Sequence, residues 1–129
     1  MPRRQRNTGT ILHFCCDMTA LMLRAQILAY SGYRVLNSSN GFEAIELCTR
    51  EPVDAVVLDL DRNSAEVKVI AREIKQRRPE VPTIVLTETP APVERMHKLA
   101  DAVVAKQNAP ALVKTLQRLL SATGADAAS

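Results

Sequence analysis

The side chains able to do chemistry stand at a few separated points. Cys15, Cys16 and Asp17 follow one apolar run, Asp59 closes a second, Thr87 ends a third and Lys106 follows a fourth. Adjacent thiols suit a soft metal such as Zn²⁺ or Cu⁺, with Asp59 or His13 beside them, or a redox pair. They lack the two-residue gap of a tetrahedral thiolate site, so the simpler reading of Cys15 and Cys16 is two small hydrophobes. Cys48 reads as core. Asp59 with Asp17 and Asp61 offers the carboxylates of a weak cation site, and Asp59 with Lys106 offers an ion pair. His13 and His97 are single histidines with no evident partner. Neither a G-x-G-x-x-G nor a Walker pattern occurs, which excludes dinucleotide and NTP binding in the usual style.

The elements that must carry these groups alternate in type. Thr10 to Phe14 is a β-rich run. A helical stretch follows to Tyr30, with Leu21, Ala25 and Leu28 on one face. Ser31-Gly32 ends it, and Tyr33 to Leu36 reads as a strand. Asn40 and Glu43 form a capping box for a helix that stops before Pro52 and turns Ala44, Ile45, Leu47 and Cys48 inward. Ala55 to Leu58 is continuously apolar, as in a strand buried on both faces. Val67, Ile70 and Ile74 mark a helix from about Ala65 to Arg77. Pro82 to Thr87 is a strand, about Pro92 to Leu99 a short helix, and Ala102 to Ala105 a weak strand. Asn108 caps a last helix with a stripe of Leu112, Val113, Leu116, Leu119 and Leu120. Five strand–helix repeats predict an α/β fold, a doubly wound five-stranded parallel sheet of three layers. Sites in such sheets lie beyond the carboxyl ends of the strands, where Cys15, Cys16, Asp17, Asp59, Thr87 and Lys106 all fall.

Length and charge bound the rest. A chain of 129 residues is one domain by the usual range of roughly 100–200 residues. The expected division is a flexible basic arm over 1–9, the domain over 10–121 and a frayed tail over 122–129. Setting aside Arg3, Arg4 and Arg6 of the arm leaves 14 basic residues against 14 acidic ones. A neutral domain lacks the basic face of a nucleic-acid binder. The four aromatics Phe14, Tyr30, Tyr33 and Phe42 are too few for base-stacking platforms. No stretch approaches the ~18 apolar residues of a membrane span. Three cysteines without a signal peptide fit a reducing, cytoplasmic setting.

In these segments the sequence resembles the receiver domain of bacterial two-component response regulators, over about Thr10 to Leu120. Glu51-Pro-Val-Asp-Ala-Val-Val-Leu-Asp59 is similar to the family's run into its phosphoacceptor aspartate. Ser31-Gly-Tyr-Arg-Val35, Asn40-Gly-Phe-Glu-Ala-Ile45 and Val81-Pro-Thr-Ile-Val-Leu-Thr87 add to the likeness, and Lys106 falls where the family places its lysine. The resemblance implies a CheY-like, flavodoxin-like fold and a non-enzymatic role in phosphorelay signal transduction. Asp59 would be the phosphoacceptor, and Thr87 and Lys106 would hold the phosphoryl oxygens. Mg²⁺ would be the cofactor only if the site is phosphorylated. Partners would be proteins, a histidine kinase or a downstream effector, with no direct nucleic acid and no membrane. A homodimer through the fourth and fifth helices is what the family suggests.

The departures from that pattern fall at the site. Cys15 and Cys16 occupy the positions of the family's acidic pair, and thiols do not suit Mg²⁺. Leu60 to Asn63 lacks the usual Met-Pro, and Glu88 stands where a small residue is preferred. Gln107 replaces a proline, so the Lys106–Gln107 peptide is expected trans with the lysine displaced. Val103 takes the aromatic switch position. The expectation is a degenerate, or pseudo-, receiver signalling through protein contacts, with Mg²⁺-dependent phosphorylation impaired or absent. Two alternatives stay open: a working switch phosphorylated on Asp59, and a thiol-based metal or redox sensor through Cys15 and Cys16.

Overall fold

The computed structural model describes residues 8–60, 64–88 and 98–122. They form strand β1 (Thr10–Phe14), helix α1 (Met18–Tyr30), β2 (Arg34–Ser38), α2 (Gly41–Arg50), β3 (Ala55–Asp59) and α3 (Ser64–Arg77). Then come β4 (Thr83–Thr87), β5 (Ala102–Ala105) and α4 (Ala109–Ala122). The five strands make one sheet in the order β2-β1-β3-β4-β5, and every pairing is parallel. The doubly wound architecture predicted from the alternation is therefore the one observed.

The continuous burial of β1, β3 and β4 has its cause in the layers. Successive side chains of a strand point to opposite faces, and helices cover both. Leu12, Phe14, Val56, Leu58 and Val85 pack with Ala44 and Cys48 of α2 and with Val67, Ile70 and Ile74 of α3. Ile11, Ala55, Val57, Ile84, Leu86 and Val104 pack with Leu28 of α1 and with Leu112, Leu116 and Leu120 of α4. His13, Cys15 and Asp59 continue the second series, so they lie on the α1 side of the sheet.

Local signals set the element ends. Asn40 caps α2 by accepting from Glu43 N at 3.0 Å. The reciprocal half of the expected capping box is altered: Asn40 N donates to Ser38 Oγ, which itself donates to Glu43 Oε1. Asn108 caps α4 through Ala111 N. The second strand runs later than predicted, because Tyr33 N still bonds Leu28 O at the end of α1. Pairing with β1 then carries β2 on to Ser38. Gly32, with φ +110°, supplies the left-handed turn that closes α1. Of the helix expected from about Pro92 to Leu99, residues up to 97 lie outside the described residues, and Lys98 and Leu99 form a turn. Asp61, His97, the arm up to residue 7 and the tail from 123 also lie outside them.

Candidate functional site

β1 pairs with β2 on one side and β3 on the other, so the sheet changes winding direction between β1 and β3. A crevice opens beyond the carboxyl ends of strands at such a point. Asp59, the last residue of β3, closes the crevice floor and is 5% exposed. A carboxylate this buried needs charge partners and hydrogen bonds, and it has them on both oxygens. Lys106 Nζ lies 2.7 Å from Oδ1, and Arg24 Nη1 lies 2.8 Å from Oδ2. The lysine is not displaced as expected, although no cis peptide occurs among the described residues. Lys106 N bonds Thr87 O at 2.8 Å, continuing the β4–β5 ladder and aiming the side chain at Asp59. Thr87 itself is buried at the end of β4, one position past Leu86, the residue opposite Asp59.

Arg24 is the member of the site that the sequence reading missed. It is the one charged residue of α1, and it sits three positions after Leu21 and four before Leu28, the two buried residues of that helix. A charge on the inward stripe of an otherwise uncharged helix is a readable signal for a buried counter-ion. Its Nη1 also lies 3.2 Å from His13 Nε2, so the two N–H bonds of one nitrogen serve Asp59 and His13. Nε2 must then carry a lone pair, and His13 Nδ1–H donates to Asn37 Oδ1 at 3.0 Å. This is a neutral tautomer fixed from both sides. Burial, foremost, pushes the His13 pKa down to about 4, and the Arg24 charge adds to that. Two cations therefore face the one carboxylate of Asp59.

The two cysteines part company. Cys15 is buried, with Sγ 3.4 Å from Asp17 O and 3.5 Å from Asp59 Oδ2. Burial, the largest cause, raises its thiol pKa above the ordinary value, so it stays protonated beside the carboxylate. Cys16 is exposed, its Sγ 3.9 Å from Ser39 O. Neither forms a disulfide. Asp17 spends Oδ1 on capping α1, accepting from Thr19 N at 3.0 Å and Ala20 N at 3.2 Å. Glu88 and Gln107 are exposed at the rim. Among the described residues, no group of three or more His, Cys, Asp or Glu side chains is gathered to hold a metal ion. Cys48 is core, as expected.

Comparison with known proteins agrees with this fold. The family profile described as the response regulator receiver domain matches residues 17–117. A curated relative, the response regulator MprA of Mycobacterium leprae (strain TN), is 30% identical over 69 residues; the match covers 54% of this chain and 30% of MprA. The chain thus spans under a third of that relative's length. Among solved structures, a CheY-like receiver domain protein from Methanospirillum hungatei superposes with a TM-score of 0.81 at 20% identity, covering 93% of this chain and 99% of the other. The response regulator TrrA of Thermotoga maritima, solved with Mg²⁺ and BeF, gives 0.79 at 24% identity, covering 86% and 98%. The receiver domain of a sensor histidine kinase from Pseudomonas aeruginosa, with magnesium in its active-site cleft, gives 0.79 at 23% identity, covering 89% and 99%. At these identities the structures speak for the fold.

Proposed function

This chain belongs to the response regulator receiver domain family, and from that premise we propose that it is a receiver whose acceptor aspartate is held by the protein's own cations. It signals through protein–protein contacts rather than through Mg²⁺-dependent phosphorylation. The observation that carries this reading is Arg24 Nη1 at 2.8 Å from Asp59 Oδ2.

Mg²⁺ is the test of fit. It demands near-octahedral oxygen ligands and gives up its waters reluctantly. Around Asp59 the neighbours are a guanidinium, an ammonium and the protonated thiol of Cys15. A divalent ion would have to displace Arg24 and would find sulfur where the family resemblance places acids. These residues do not fit it. What the arrangement does instead is hold Asp59 neutralised, tying α1, β3 and the residue after β5 into one fixed conformation.

The partners that suit such a domain are a histidine kinase or a downstream effector, met through protein contacts in a reducing cytoplasm. The neutral charge balance outside the arm gives no support to direct nucleic-acid binding. No helix among the described residues is long and apolar enough to cross a membrane. A second reading has its own support: Lys106 on Oδ1 and Thr87 at the adjoining strand end are the groups a phosphorylated Asp59 would use.

Calorimetric titration with Mg²⁺ tests the first reading. Wild type is expected to show no saturable binding. Arg24→Ala combined with Cys15→Asp and Cys16→Asp is expected to acquire it. Saturable Mg²⁺ binding by wild type at the concentrations that fill an ordinary receiver domain would contradict the proposal.

A further inference from the structure

Away from the acceptor site, α2 and α3 leave a groove of about 530 Å³ between them. Its floor and lips are apolar: Ile45 and Ile70 lie below, Phe42 and Val69 stand above. Phe42 is 86% exposed and Val69 53% exposed, so two large apolar side chains stand in solvent at the mouth of one groove. On α3 the lining residues Glu66, Val69, Ile70, Glu73 and Arg77 recur at the three- and four-residue steps that place side chains on one helical stripe. Phe42, Ile45 and Glu46 do the same on α2. The groove is thus the seam of two helices, open along about 16 Å of α3. Gly41 lets the helices converge at its upper end: a Cβ there would come 3.0 Å from Glu66 Oε2 and 3.2 Å from Ile70 Cδ1.

Its charge selects what enters. Glu46, Glu66 and Glu73 line it against the single Arg77, and Arg77 is already engaged with Glu73 at 3.3 Å. Apolar lips under a rim with three glutamates to one arginine complement a basic amphipathic segment. A helix lays its apolar face into such a groove and reads it at the same three- and four-residue spacing. Acidic or neutral segments lose the rim contribution, and like charges across an interface oppose binding.

We propose that the α2–α3 groove is a docking site for a basic amphipathic helix of another protein, anchored by apolar side chains on Phe42 and Val69 and flanked by Lys or Arg facing Glu46 and Glu66. This stands apart from the acceptor site and does not rest on the reading of Asp59.

The test is selection from a phage-displayed library of random peptides of about 12 residues, the length of the groove in helical turns. The bait is the full chain, and the enriched peptides are then measured against Phe42→Ala and Val69→Ser. Phe42 and Val69 are exposed, so Phe42→Ala and Val69→Ser leave the fold intact, which circular dichroism checks. Enriched peptides are expected to be basic, with apolar residues at i, i+3 and i+4. They should bind roughly tenfold more weakly to either variant, and more weakly to Glu46→Gln/Glu66→Gln as well as at raised salt. Enrichment of neutral or acidic peptides, binding indifferent to Phe42, or no enrichment overturns the proposal. So does sedimentation showing a wild-type self-association that Phe42→Ala abolishes, which would assign the groove to a second copy of the chain.

Discussion

At the scale of single residues, one arginine serves both a neutral histidine and a buried carboxylate, meeting His13 Nε2 and Asp59 Oδ2. His13 is neutral in the fold, with a pKa lowered to about 4 by burial, against about 6.5 in an unfolded chain. Above pH 6.5 neither state is charged, and the residue makes no difference to pH dependence. As pH falls the unfolded chain takes the proton first, so stability drops through the window from 6.5 to about 4 and levels off below it. The share lost by pH 5 is about 2 kcal/mol. Urea unfolding at pH 7 and pH 5 should therefore show a larger fall for wild type than for His13→Gln, by about that amount. Equal falls would mean that His13 is not held as described. Arg24 answers to a different change. Arg24→Met keeps the stem and removes the charge, leaving Asp59 with Lys106 and the Cys15 thiol and His13 Nε2 without its arginine donor. Breaking one side of a buried pair is costly, and with the second cation retained the expected loss is about 2 kcal/mol. Equilibrium unfolding at pH 7 measures it, and an unchanged midpoint would show the contact to be idle.

At the scale of elements, α1 is both the roof of the site and the carrier of its unexpected cation. Its start is fixed by Asp17, whose Oδ1 accepts from Thr19 N and Ala20 N. Loss of such a cap costs about 1 kcal/mol. Asp17→Ala is expected to lower stability by that much in thermal or urea unfolding, and Asp17→Ser to recover most of it. No recovery would point to another role for the carboxylate. The elements were legible because their signals are local: the caps at Asn40 and Asn108, the stripe of α4 and the apolar runs of β1, β3 and β4. What was illegible depended on contacts distant in the chain. Arg24 and Asp59 are 35 positions apart, and periodicity alone shows that Arg24 lies on the inward stripe of α1, not that it meets Asp59. The start of β2 slipped because Tyr33 belongs to the close of α1, a preference set by one backbone hydrogen bond. The departure from proline at Gln107 suggested a displaced lysine, and the ladder bond from Lys106 N to Thr87 O overrides it.

For the whole molecule, the parallel sheet sets what the site can be. The order β2-β1-β3-β4-β5 brings the ends of β1, β3 and β4 together under α1, so that Cys15, Asp59, Thr87 and Lys106 meet whatever their chemistry. Family membership follows from that scaffold and from the match over residues 17–117; the state of the acceptor follows from the side chains set into it. Two cations on one buried carboxylate supply in advance the neutralisation that a working acceptor receives from a metal ion. They also occupy its oxygens. On the proposed reading Asp59 is a structural anion rather than an acceptor. Intact mass after incubation with Mg²⁺ and a small-molecule phosphodonor tests it most directly, with Asp59→Asn alongside as control. The prediction is no phosphoryl adduct on wild type under conditions that label an ordinary receiver domain. An adduct on wild type that Asp59→Asn lacks would contradict it and make this chain a phosphorylated switch.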